Sequence, residues 1–184
     1  MLAIIATAVL PVTVFAQGIV NFDTIVLGPT AQVSDVNGVL CWGTNFLAQL
    51  YAAKGTAAEG ALVAMGSPVN FRTGFAAGYV RTASPAVPSV FVFTGGTAGG
   101  PATVQMRAWS SAYATYETAE AGFLAGSADA HFGRSATLFL ASTGIPPATP
   151  PNLTGLRGFQ LVPEPSTLAL VLLGVAAPLI CRRK

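Results

Sequence analysis

Charge is the scarcest ingredient of this chain. Its 184 residues include nine Lys and Arg, seven Asp and Glu, and a single histidine. Charged residues make up 9%, against the ~25% usual for a soluble domain. So few ionisable side chains leave little from which to build an acid–base pair. Two cysteines exclude a disulfide-stapled scaffold. One histidine and no clustered aspartates argue against a metal site, so no metal and no cofactor is expected. What is abundant is apolar: 52% of the residues, too many for a chain disordered along its whole length. Twenty glycines and 13 prolines disfavour a helical bundle or a coiled coil. The length suits one domain with a real core.

The apolar excess is concentrated at the two ends. Residues 1–16 carry no charge and close on Val14-Phe15-Ala16, followed by Gln17-Gly18. Slender residues at the −3 and −1 positions suit signal peptidase, so cleavage between Ala16 and Gln17 is expected. Pro11 would break the apolar helix where the cleavage region becomes extended. At the other end, residues 167–181 read TLALVLLGVAAPLIC, without charge, before Arg182-Arg183-Lys184. A helix of that length spans about 22 Å, and snorkelling of the arginines closes part of the gap to a ~30 Å hydrocarbon core. Three terminal cations should stay cytoplasmic, which puts the rest of the chain on the outer side.

Before this expected span stands Val162-Pro163-Glu164-Pro165. Two prolines around one carboxylate forbid regular structure and present extended backbone to a processing enzyme. Motif, span and basic end, in that order over residues 162–184, resemble the PEP-CTERM sorting signal of bacterial exported proteins. The resemblance implies recognition by an exosortase and removal of the tail near the motif. It also implies an association with the cell envelope and extracellular polysaccharide. The sorting residues would be Val162, Pro163, Glu164 and Pro165, with Arg182, Arg183 and Lys184 as the cytoplasmic basic anchor.

Once the ends are set aside, the charges balance. Residues 17–163 hold Lys54, Arg72, Arg81, Arg107, Arg134 and Arg157 against Asp23, Asp35, Glu59, Glu117, Glu120 and Asp129. A neutral body with scattered cations has no electrostatic footprint for nucleic acid. Cys181 sits at the expected cytoplasmic boundary and Cys41 in the exported body, so the two should not pair. Cys41 is expected to be buried as a small hydrophobe.

The body, residues 17–161, reads as short alternating segments between Gly, Pro, Ser and Thr. Strands are expected at 19–23, 46–52, 69–72, 89–94, 103–109, 136–141 and 157–161, the fourth (SVFVFT) as a central strand. A turn is signalled at Asp35-Val36-Asn37-Gly38 and a hairpin loop over 95–101. Residues 111–125 have near-helical spacing, with Ser110 or Ser111 as cap. These features predict an all-β body of antiparallel sandwich or jelly-roll type with one short helix. A signal helix at 1–16 and one transmembrane helix in 162–184 would flank it.

Candidate chemistry is thin. Asp129 and His131 fall on one face of an extended segment, with Ser135 nearby, but no nucleophile elbow surrounds that serine. Glu117 and Glu120 lie three apart on the expected helix, as a glycosidase pair could. Tyr51, Tyr79, Trp109, Tyr113 and Tyr116 would form a carbohydrate platform if exposed, and core if not; the same choice applies to Trp42. The expectation is therefore an exported, non-enzymatic structural or binding protein. It would be handled by signal peptidase and exosortase, held in the membrane through residues 167–181, and delivered to the envelope or matrix, with exopolysaccharide as a candidate partner. The alternative is a secreted hydrolase acting on glycan or ester.

Overall fold

A computed structural model describes residues 17–80, 90–93, 99–145 and 149–161. The expected signal segment 1–16 and the whole of 162–184 lie outside the described residues, as do most of the 95–101 loop and part of the proline-rich loop. Among the described residues, no helix is long and apolar enough to cross a membrane.

The described chain is mostly antiparallel β-sheet with one α-helix. Its strands are β1 (Gln17–Val20), β2 (Phe46–Lys54), β3 (Val63–Asn70), β4 (Val90–Phe93), β5 (Ala102–Ser110), β6 (Phe132–Arg134) and β7 (Leu138–Leu140). The helix α1 spans Tyr116–Leu124, between β5 and β6. A five-stranded sheet runs β3-β2-β5, with β6 and β7 pairing different stretches of the far edge of β5. β1 and β4 form a second, two-stranded sheet.

The centre of the larger sheet is the unbroken pairing of β2 with β5, from Phe46 opposite Ser110 to Lys54 opposite Ala102. Alternate residues of a strand face opposite sides, so this ladder creates two faces. One carries Ala48, Leu50 and Ala52 with Ala102, Val104, Met106 and Ala108, all buried. Its cover comes from Val20, Phe22, Val33, Cys41, Val80, Leu153, Leu156 and Leu161. Four alanines on the sheet side let that cover approach closely, and β4 comes alongside β2 and β3.

The cover is irregular backbone laced together by hydrogen bonds. Val33 N–H donates to Gly78, Cys41 N–H to Val33, Gly78 N–H to Cys41 and Leu161 N–H to Ser34. Cys41 is buried as expected, with Leu40 and Trp42 turned outward on either side of it. Burial and the charge of Asp35 push its thiol up to about 12, so it is inert at neutral pH.

Several expected boundaries shift. Residues 157–161 form no strand; only Gln160 bridges Ser34. β3 begins six residues before the expected 69–72 segment, because Gly66 and Pro68 conceal it. There the register jumps, Ala48 opposing Val69 while Leu50 opposes Met65. The Gln49 side chain bridges the irregularity by donating to the Gly66 carbonyl at 2.7 Å. A bulge with a proline on an edge strand also discourages pairing with other chains. The strands flanking the expected 95–101 hairpin do not pair with each other: β4 pairs with β1 and β5 with β2. The strand β6 was hidden in a three-residue stretch with a central glycine.

Gly158 donates its N–H to Thr30 and lies so near Gln32 that a β-carbon there would overlap the Gln32 backbone. Neither side can yield without breaking the lacing. Gly158→Ala should therefore destabilise the body by roughly 1–3 kcal/mol, read as a lowered midpoint in urea unfolding. An unchanged midpoint would show that the 30–34 and 158–161 segments are not packed this way.

Candidate functional site

The second face of the β2–β5 ladder holds most of the unusual chemistry. Tyr51 on β2, with Gln105, Arg107 and Trp109 on β5, point away from the main core. Alternation alone would leave them in water. Instead α1 lies across this face and contributes Tyr116 and Ala119 to a second apolar cluster with Tyr51, Leu62, Trp109 and Phe132. Thr115 starts the helix through a capping box, its hydroxyl accepting from Thr118 N–H while the Thr118 hydroxyl accepts from Thr115 N–H. The cap is thus Thr115 rather than Ser110 or Ser111. Those serines belong to a turn closed by Tyr113 N–H on the Ser110 carbonyl.

Arg107 is the charge this arrangement buries, at 9% exposure. Its guanidinium carbon lies 4.1 Å from the Tyr51 ring centroid and 4.9 Å from that of Tyr116. Its Nε donates to Gln105 Oε1 at 2.9 Å, and Nη1 lies 3.6 Å from Glu117 Oε1. Gln105 in turn donates to Glu59 at 3.1 Å and to the Ser135 carbonyl at 2.9 Å. Glu59, on the 3-10 turn Glu59–Ala61, also meets Arg134 Nε at 2.6 Å. Two arginines, two glutamates, a glutamine and two tyrosines thus form one connected network. Two ring faces and the acceptors around it offset the loss of water around the buried cation.

The network fixes the electrostatics of its members. Partial burial works to raise the Glu117 carboxyl. The Tyr51 hydroxyl donating at 2.8 Å, its own backbone amide, Thr115 and the charge of Arg107 outweigh that and hold it below the ordinary carboxylate value. Burial, opposed by Arg134 and helped by Glu120, pushes the Tyr116 phenol up to about 12. Burial and Glu117 raise Tyr51 as well. A carboxyl held ionised beside phenols held neutral suits a structural junction.

The expected site residues fall apart in space. Tyr51, Tyr79, Trp109 and Tyr116 are buried, so they make core and no carbohydrate platform; Tyr113 is half-buried. Trp42 is exposed. Glu117 is occupied by Tyr51 and Arg107, whereas the charge of Glu120 helps to raise the Tyr116 phenol. Ser135 is buried, its hydroxyl accepting from Met106 N–H and donating to the Ala136 carbonyl. Asp129 and His131 are joined through backbone groups, and both line an open cleft of about 410 Å³ beside Asn45, Phe46, Ser110 and Ser111. Among the described residues, no three His, Cys, Asp or Glu side chains gather as a metal site. Gln17 opens β1 opposite Phe93, while Ala16 lies outside the described residues. So do Val162, Pro163, Glu164, Pro165, Arg182, Arg183 and Lys184.

Comparison with known proteins addresses the C-terminal segment. The family model of the PEP-CTERM protein-sorting motif matches residues 161–184. The chain carries a PEP-CTERM sorting motif. That motif directs a protein into the exosortase pathway, so processing by exosortase is implied. No curated protein and no solved structure matches the chain. The PEP-CTERM match begins at Leu161, the last described residue, so the sorting segment adjoins the described body.

Sequence reasoning missed the Arg107 junction. Gln105 and Arg107 alternate with Val104 and Met106 as solvent-facing residues should, and the available signal was Trp109 on the same face. Replacing Arg107 by Met keeps the stem but removes the cation and should cost roughly 1–3 kcal/mol. The Glu117 carboxyl titrates lower in the folded chain than in the unfolded one, so its contribution is present above pH 4.5, the unfolded value. That contribution is lost as pH falls through the lower folded value. Glu117→Gln should therefore lower Tm at neutral pH and converge on the parent chain in acid. Parallel Tm curves across the acid range would contradict this account.

Proposed function

We propose that this chain is an exported, non-enzymatic protein of the cell envelope or extracellular matrix, with a β-sandwich body sorted through its PEP-CTERM signal. The observation that carries the reading is the motif match at residues 161–184. Signal peptidase cuts between Ala16 and Gln17, and residues 167–181 hold the precursor in the membrane with the body outside. Exosortase then acts at Val162-Pro163-Glu164-Pro165, while Arg182, Arg183 and Lys184 remain cytoplasmic. The released body serves a structural or binding role in the envelope, with exopolysaccharide as the candidate partner.

Support for a non-catalytic body comes from how its ionisable groups are used. Glu59, Glu117, Arg107 and Arg134 are tied to one another, and Ser135 is tied to backbone. One observation favours the alternative, a secreted hydrolase: the open cleft that brings His131 and Asp129 beside Ser110 and Ser111. Purified protein tested on ester and glycan substrates separates the two readings, since turnover abolished by His131→Ala would establish the hydrolase.

Deleting residues 163–184 should move the body from the membrane fraction to the soluble exported fraction. A truncated chain that still sediments with membrane would remove the anchoring claim. Mass spectrometry of the mature form should find a C-terminus near Pro165. Intact Arg182-Arg183-Lys184 outside the cell would exclude processing.

A further inference from the structure

Among the described residues, the last ones, Gln160 and Leu161, lie near a stretch with several exposed apolar side chains. Three backbone segments lie side by side there: Gln160 bridges Ser34 in parallel, and Ser34 bridges Leu40 antiparallel. Leu161 N–H donates to the Ser34 carbonyl and Gln160 Nε2 to the Val36 carbonyl. The parallel pairing sets Gln160 and Leu161 alongside Ser34, where the Asp35–Val39 turn begins. On and beside that turn, Val39, Leu40 and Trp42 are exposed, at 57%, 36% and 52%. Gly78 packs so close to Leu40 that a β-carbon there would stand 3.0 Å from Leu40 Cδ2. The same loop carries Phe75, exposed at 98%.

These residues carry the wrong chemistry for open water and the right chemistry for one neighbour. The carboxylate at the turn, Asp35, accepts from the amides of Asn37 and Val39 at 2.8 and 2.9 Å, so it is directed at backbone. Trp with aliphatic side chains is the composition that settles at a membrane–water boundary. Five residues, 162–166, separate Leu161 from the apolar stretch at 167. A run of that length, fully extended, reaches about 20 Å.

We propose that Val39, Leu40, Trp42 and Phe75 form a foot that seats the tethered precursor on the lipid–water interface of the membrane. This rests on the reading of the chain as a membrane-anchored precursor. The tether converts the contact into an intramolecular one, so a foot of four side chains suffices while residues 167–181 are attached. After cleavage the same foot is too small to hold the body, and the body departs. Seating the foot also settles which side of the Pro-Glu-Pro segment faces a membrane-embedded enzyme.

The test uses the full chain reconstituted in phosphatidylethanolamine–phosphatidylglycerol vesicles with acyl chains brominated near the headgroup. Flotation after alkaline carbonate washing reports the anchor; quenching of tryptophan emission by bromine reports the foot. Trp109 is fully buried and acts as the unquenched internal control. Of the two tryptophans, Trp42 alone should be quenched, removing about half of the emission. Trp42→Phe should abolish the quenching yet float as before. A chain that floats with unquenched emission overturns the foot and leaves the anchor standing. One that does not float overturns the anchored-precursor reading itself. Trp42 emission that is unmoved by brominated lipid but shifts with neutral oligosaccharide, or with chain concentration, assigns the patch to glycan or to a second copy and overturns the proposal.

Discussion

The nine-residue ladder between β2 and β5 is the constraint on which the rest of the body depends. It joins segments about fifty residues apart, so its closure costs chain entropy that local structure cannot recover. Its continuity, from Phe46 to Lys54, makes the two faces well defined. β3, β6 and β7 extend the ladder at the edges, and the two core clusters form on its two faces. The irregular lacing of 21–41 and 149–161 covers Leu50, Val104 and Met106, while α1 covers Tyr51, Arg107 and Trp109. A register slip by one residue would exchange the faces, placing Arg107 among aliphatics and Met106 among tyrosines. That exchange is costly on both sides, which is how a chain with few charges still specifies one pairing.

Scarcity of charge takes on a different meaning in the structure. Of the body's twelve charged residues, Glu59, Arg107, Glu117 and Arg134 meet within one network. They act there as joints between β5, α1, β6 and the 59–61 turn. Replacing a buried ion pair by apolar residues is often neutral or better for stability, so the network is better understood as specificity than as strength. It gives α1 one position on a face otherwise lined by interchangeable aromatic surface. Glu117 also stands in the first turn of α1, where the helix dipole favours its negative charge.

What the sequence made legible follows the range of each signal. Period-two alternation found β2 and β5 because each strand is long and its faces differ. The Asp35-Val36-Asn37-Gly38 turn was readable because Gly38 must adopt a positive φ, 78° here. The break in β3 was not, because Gly66-Ser67-Pro68 looks like a loop until the Gln49 side chain is seen to bridge it. Strand partners were also illegible: a glycine loop between two strands looks the same whether they pair or separate. Exposure of the aromatics was undecidable in the same way. Tyr51 is core only because α1 lies over it, and Tyr116 because it stands on the face of α1 that packs there, whereas Trp42 and Phe75 are exposed.

The sorting motif and the body share a boundary, and on the body's side it is held by burial and hydrogen bonds. Leu161 is buried and its amide is bonded to Ser34, while Gln160 holds both Ser34 and Val36. Pulling the chain free at this end would expose Leu161 and break the lacing that covers β2 and β5. Lending length from the body to the segment that follows would therefore cost that packing, and only five residues separate Leu161 from residue 167 in sequence. Processing by exosortase, which the motif implies, would take place next to a folded body whose last described residue is Leu161. Under that restriction the orientation of the body matters as much as the motif. Leu161 serves both sides of this boundary, since its side chain helps cover the β2–β5 face while its amide is tied to Ser34 beside the Asp35–Val39 turn.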